Sequence, residues 1–125
     1  MVNPFTDQKK FMGACDQTTD GTLDEKQYAL YRNLISEEVD ELNDAIRNND
    51  RVEQLDALID ILVVTIGAIH SMGADPEGAW KEVLQTNLAK IDKKTGKVIK
   101  RKDGKVLKPK DWQAPNLAPF LKNQK

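Results

Sequence analysis

From Ala57 to Ile69 every residue is apolar except Asp60, Thr65 and Gly67, and this run constrains the chain more than any other stretch. Its apolar side chains are spread round the whole helical wheel, the pattern of a helix buried on every side. One narrow stripe departs from it. At ~100° per residue, Glu53, Asp56 and Asp60 fall within about 60° of one another, with Gly67 and Ser71 continuing the line. Carboxylates in such a place are costly unless a cation or hydrogen bonds compensate them.

The preceding segment, Ser36-Glu37-Glu38-Val39-Asp40-Glu41-Leu42, has the same conflict. With Glu37 placed at 0°, Glu41 falls at about 40° and Glu38 at about 100° on the wheel. The apolar set Tyr31, Leu34, Ile35, Leu42, Ala45 and Ile46 spreads over roughly 60–180°. Asn33, Asp40, Asp44 and Arg47 lie on the far side. Three carboxylates thus sit at, or inside, the edge of a face meant for burial. Two helices turning acids inward make an oxygen-rich site for a hard divalent cation, with Mg²⁺ the usual occupant and Mn²⁺ able to substitute.

A chain of 125 residues suits one domain with a single core. Its 19 basic and 20 acidic side chains give a net charge of −1, which recommends neither nucleic acid nor a membrane as a partner. The distribution is uneven, however. Residues 37–60 are acidic, whereas residues 90–110 hold ten lysines and arginines against two aspartates, a basic flap suited to meeting phosphates. Cys15 is the only cysteine, so there is no internal disulfide or thiolate cluster, and its role is structural. No signal-like apolar run opens the chain and 57–69 is too short to span a bilayer, so a cytoplasmic location is expected.

Asn3-Pro4 reads as a cap and first helical position, Thr22 or Asp24 caps a long second helix, and Asn48-Asn49-Asp50 ends it. A third helix covers 51–71. Asp75-Pro76-Glu77 starts a fourth, which carries Trp80, Val83, Leu84, Leu88 and Ile91 at helical spacing. Beyond Asp92, short apolar pairs flanking Arg101-Lys102-Asp103-Gly104 predict a β-hairpin. A tail with Pro109, Pro115 and Pro119 follows, its Trp112, Leu117 and Phe120 meant to lie against a body. The expected architecture is all-α: a bundle of about four helices completed by oligomerisation, with residues 1–92 as the helical catalytic domain and 93–125 as hairpin and tail. An all-round apolar third helix is more core than a small monomer can cover, which predicts a homodimer or a homotetramer built from two dimers.

The pattern Glu37-Glu38-x-x-Glu41, followed by acids ending at Asp60 inside an apolar helix, resembles the MazG-like all-α nucleoside triphosphate pyrophosphohydrolases and their relatives, the phosphoribosyl-ATP pyrophosphohydrolases. The resemblance covers roughly residues 24–92 and is closest to small stand-alone phage and bacterial members. Such members look similar beyond it too, in Thr86-Asn87-x-x-Lys90, a Gly-Lys-Val hairpin and a Pro-rich end. The family motif is Glu-Glu-x-x-Glu, then Glu-x-x-Asp. Here Ala57 stands where the last glutamate is expected, and Asp56, one turn from Asp60, is the preferred substitute. The alternative is that Glu53-Gln54-Leu55-Asp56 is itself the literal motif.

The resemblance implies hydrolysis of a (deoxy)nucleoside triphosphate to monophosphate and pyrophosphate, with attack at the α-phosphorus. Glu38, Glu41, Asp56 and Asp60 would hold Mg²⁺, and Glu37 would complete the metal shell or orient the water. Asn87 and Lys90 are the expected substrate-facing pair; Gln17, Asn33 and Phe11 are the other candidates for reading the base. His70, the only histidine, is expected to pack rather than react. Phage-type nucleotide-pool control makes deoxynucleotides the leading substrate, with house-cleaning of damaged nucleotides next. Phosphoribosyl-ATP in histidine biosynthesis is the first alternative. A non-catalytic oligomerisation or antitoxin-like module is the rival from another class.

Overall fold

The computed structural model describes residues 1–122. The protein is all-α: helices α1 (Pro4–Ala14), α2 (Glu25–Arg47), α3 (Arg51–Ser71) and α4 (Pro76–Leu88), with a short 3₁₀ turn at Ala118–Phe120. Each of the first three starts on a side-chain cap. Asn3 accepts from the Phe5 and Thr6 amides, Asp24 from that of Gln27, and Asp50 from that of Glu53, satisfying donors that the helix itself leaves orphaned. Asn49 takes a left-handed conformation (φ 52°) and so closes the three-residue α2–α3 connection tightly. No helix among the described residues is long and apolar enough to cross a membrane.

The chain packs as two units. The first comprises residues 1–76 with Leu121 and Lys122, and its frame is the antiparallel α2–α3 pair. Three contacts fix its register. The Gln27 amide donates to the Ser71 hydroxyl (2.8 Å), Gly67 faces the Tyr31 ring, and Asp60 meets Glu38. Each advance along α2 is matched by an equal retreat along α3. Gly73 (φ +76°) closes this end, since a Cβ there would stand 2.9 Å from the Leu23 amide nitrogen.

A core of Met12, Tyr31, Val64 and Ala68, extended by Tyr28, Leu34 and Ile35, joins α1 to the pair. The buried His70 ring donates from Nε2 to the Phe5 carbonyl (2.9 Å) and ties α1 to α3. The packing role expected of His70 accounts for it.

The second unit spans residues 77–120. Its helix α4 ends at Leu88, so Ile91 lies beyond it and pairs instead with Val98 in an isolated bridge. The expected hairpin does not form strands among the described residues. A bridge between Lys100 and Val106, and Leu107 N–H donating to the Ile99 carbonyl (2.7 Å), are what the Asp103-Gly104 turn closes. Two apolar residues per arm, with Ile99 and Leu107 still exposed, are too few to sustain a ladder. In the tail, Trp112 Nε1–H donates to the Thr86 carbonyl (2.7 Å) and the Asn116 amide to the Glu82 carboxylate (2.7 Å), both on α4.

Candidate metal centre

Glu38 and Glu41, three residues apart on α2, share one helix face. Seven residues along each helix from the Tyr31–Gly67 contact, that face meets Asp60 of α3. One carboxylate oxygen from each of Glu38, Glu41 and Asp60 lies within 4.8 Å of the others. Glu38 and Asp60 are half-buried and Glu41 is exposed, so the group opens to solvent on the Glu41 side. Glu38 Oε2 is buried without a hydrogen-bond partner. An anionic oxygen left that way is costly, and a hard cation bound by oxygen ligands is the partner its chemistry fits.

Protonation is the other way to relieve the crowding. Burial, above all, pushes the Glu38 carboxyl from its ordinary 4.5 up to about 7, and the hydrogen bond and charge of Glu41, then Asp60 and Asp56, add to it. Asp60 moves in the same direction, first through burial and then through the charges of Asp56 and Glu41. The folded protein therefore holds protons between about pH 4.5 and 7 that the unfolded chain releases, so metal-free stability falls as pH rises through that window. Thermal unfolding in chelator is expected to show a melting temperature lower at pH 8 than at pH 5 by roughly 3 °C. Glu38→Gln flattens the slope, and Mg²⁺ at pH 8 restores stability. A slope as steep in Glu38→Gln as in the parent refutes Glu38 as its origin.

The other expected site residues divide. Asp56, exposed, stands outside the three-oxygen group but acts on Glu38 and Asp60 through its charge. With Glu41 and Glu53 it lines an open cavity of about 420 Å³ at the α2–α3 turn. Glu37 and Asn33 are exposed on α2 and are not among the converging groups. Gln17 is half-buried, its side-chain carbonyl accepting from Tyr31 Oη (2.6 Å). In the second unit Lys90 Nζ donates to Asn87 Oδ1 (3.1 Å).

Sequence reasoning missed Gln27. Buried, it binds both the amide and the carbonyl of Thr18 (2.7 and 2.8 Å) as well as Ser71, and so holds the loop that carries Gln17. A polar residue just inside a helix cap gives no sign of this in the sequence.

No curated protein matches the chain. Residues 7–87 match the sequence profile of the phosphoribosyl-ATP pyrophosphohydrolases, a span that holds α2, α3 and all three converging carboxylates. The chain belongs to this family, within the MazG-like all-α nucleotide pyrophosphohydrolase superfamily, and is a hydrolase acting on acid anhydrides.

Proposed function

We propose that the chain hydrolyses deoxynucleoside triphosphates to the monophosphate and pyrophosphate, using Glu38, Glu41, Asp56 and Asp60 to hold Mg²⁺. The observation that carries the metal-dependent chemistry is the orphaned, buried Glu38 oxygen beside two further carboxylates from facing helices. The cation supplies neutralisation of charge on the phosphate oxygens. Glu37, exposed beside Glu38, takes the proton of the attacking water as general base. The water oxygen bonds to the α-phosphorus, the bond to the bridging oxygen breaks, and pyrophosphate leaves. Lys90 and Asn87 hold substrate oxygens, and Gln17 and Asn33 read the base. Phosphoribosyl-ATP is the second reading, favoured by the description of the matched family.

A substrate panel with Mg²⁺ tests this. Pyrophosphate release from deoxynucleoside triphosphates, faster than from phosphoribosyl-ATP, is expected; the reverse order moves the chain to the second reading. Orthophosphate release refutes the attack at the α-phosphorus, and no turnover of either substrate class refutes both readings.

Assembly is part of the proposal. Val52, Leu55, Ile59 and Leu62 form a stripe within about 80° of the α3 wheel, and all are half exposed or more, Val52 at 77% and Leu55 at 63%. Val39 and Ile46 of α2 are also exposed. A contiguous apolar face of this kind marks an interface, and a second copy of the chain is the proposed cover. Light scattering at micromolar concentration is expected to give two or four times the chain mass, and Leu55→Glu with Leu62→Glu to give a monomer. An active monomeric parent contradicts it.

A further inference from the structure

The near-zero net charge of the chain is a cancellation. Residues 77–120 hold eleven lysines and arginines against five aspartates and glutamates, a net charge of +6. Asp103 is already paired with Arg101, and no lysine between Lys93 and Lys110 is in an ion pair among the described residues. Apart from Arg101 and the half-buried Lys90, which donates to Asn87, the lysines of this segment are exposed and make no ion pair among the described residues.

An aromatic site lies among these lysines. Trp112 is held at its Nε1–H by the Thr86 carbonyl. Two ammonium groups stand over the ring, Lys90 Nζ 5.2 Å and Lys108 Nζ 4.7 Å from its centroid, so a base that stacks on the ring takes the place of one of them. An open cavity of about 850 Å³ adjoins it, lined by Leu88, Ile91, Ile99, Pro109 and Trp112, with Lys93 at its wall. Three carboxylates also line it. Glu82 accepts from the Asn116 amide and Asp92 from that of Lys94. Both keep their charge, so with Asp111 three negative charges face the lysines here and direct a neutral base, rather than a phosphate, into the cavity. Exposed cations around a fixed aromatic ring, beside a hollow of mixed apolar and polar lining, are what a flexible strand of bases and phosphates needs. The cations track the backbone, and the ring stacks with a base of any identity.

We propose that the second unit, residues 77–120, binds single-stranded nucleic acid, its lysines meeting successive phosphates and the cavity beside Trp112 taking a base. This goes beyond the hydrolysis proposed above and does not depend on the carboxylates. Duplex is disfavoured because its bases are stacked away from the ring, and polyphosphate or an anionic membrane offers no base.

The test uses the full chain in chelator, so that the carboxylates play no part. Anisotropy of a labelled oligothymidylate of about 20 nucleotides is titrated at rising salt, against duplex, polyphosphate and phosphatidylserine vesicles as competitors. The expected result is saturable binding at 50 mM salt that weakens steeply with salt and is retained in Glu38→Gln. Reversing Lys97, Lys100, Lys102 and Lys105 to glutamate weakens it at least tenfold; these residues are exposed, so the helices are untouched. Trp112→Phe, which keeps a stacking ring, binds better than Trp112→Ala. No binding at tens of micromolar protein, unchanged affinity in the fourfold lysine variant, or equal competition by duplex, polyphosphate or vesicles overturns the proposal.

Discussion

Asp60→Asn is expected to reduce pyrophosphate release by on the order of 10³-fold, about 4 kcal/mol of transition-state stabilisation. Glu38→Gln and Glu41→Gln should approach the same loss, because each removes one of three converging oxygens. Asp56→Asn is expected to be equally inactive, since its charge already acts on Glu38 and Asp60. Glu53→Gln should cost much less. Glu53 lies two turns before Asp60, some ~10 Å along the axis, beyond the reach of a single cation bound at ~2.1 Å. It shares only the open cavity with Glu41 and Asp56. Steady-state rates at saturating Mg²⁺ measure the series, with melting temperatures alongside. The amide variants should melt no lower than the parent in chelator, because each removes one member of a mutually repelling set. An inactive Glu53→Gln beside a normal Asp60→Asn would mean that Glu53-x-x-Asp56 is the working motif.

Much of this geometry was legible because it depends on local chemistry. The caps are short-range hydrogen bonds, and sequence spacing alone points to Asn3 and to Thr22 or Asp24, of which the structure uses Asp24. Asp50, which the spacing gives only as part of the break after the second helix, also caps the third. The meeting of Glu38, Glu41 and Asp60 followed from two helix periods and the cost of burying charge. Depth along the axis did not follow, because a wheel projects it away. Asp56 and Asp60 share a direction, yet Asp56 lies a turn nearer the open α2–α3 end and is exposed. The end of α4 and the missing strands after Asp92 were misread for a related reason. Local pattern there is ambiguous, and Ile91 can serve as helix or bridge residue with equal ease. Gln27 and the ring that Gly67 receives belong to contacts between residues far apart in sequence. A glycine on a buried helix announces a close approach, but the identity of what approaches is tertiary information.

That approach sets the last expectation, that Gly67→Ala destabilises the protein strongly even though alanine is the better helix former. A Cβ at this position would lie 2.7 Å from Tyr31 Cζ, and closer still to Cε1 and Cδ1. The ring has little freedom to retreat. Tyr31 is 4% exposed, packs with Met12, Val64 and Ala68, and donates its hydroxyl hydrogen to Gln17. Overpacking of this kind costs about 1–3 kcal/mol or more, whereas the helix preference of alanine returns only about 1. With the ring pinned, the outcome should sit at the upper end, a fall in melting temperature of roughly 8 °C. The helices must part to admit the methyl group, and the Glu38–Asp60 meeting lies two turns further along the same seam. Mg²⁺-dependent turnover should therefore fall as well. Tyr31→Leu removes the opposing ring, so Gly67→Ala in that background should cost much less than in the parent, a coupling that a double-mutant cycle reads directly. A Gly67→Ala protein as stable as the parent would mean that α2 and α3 are not held together at this contact.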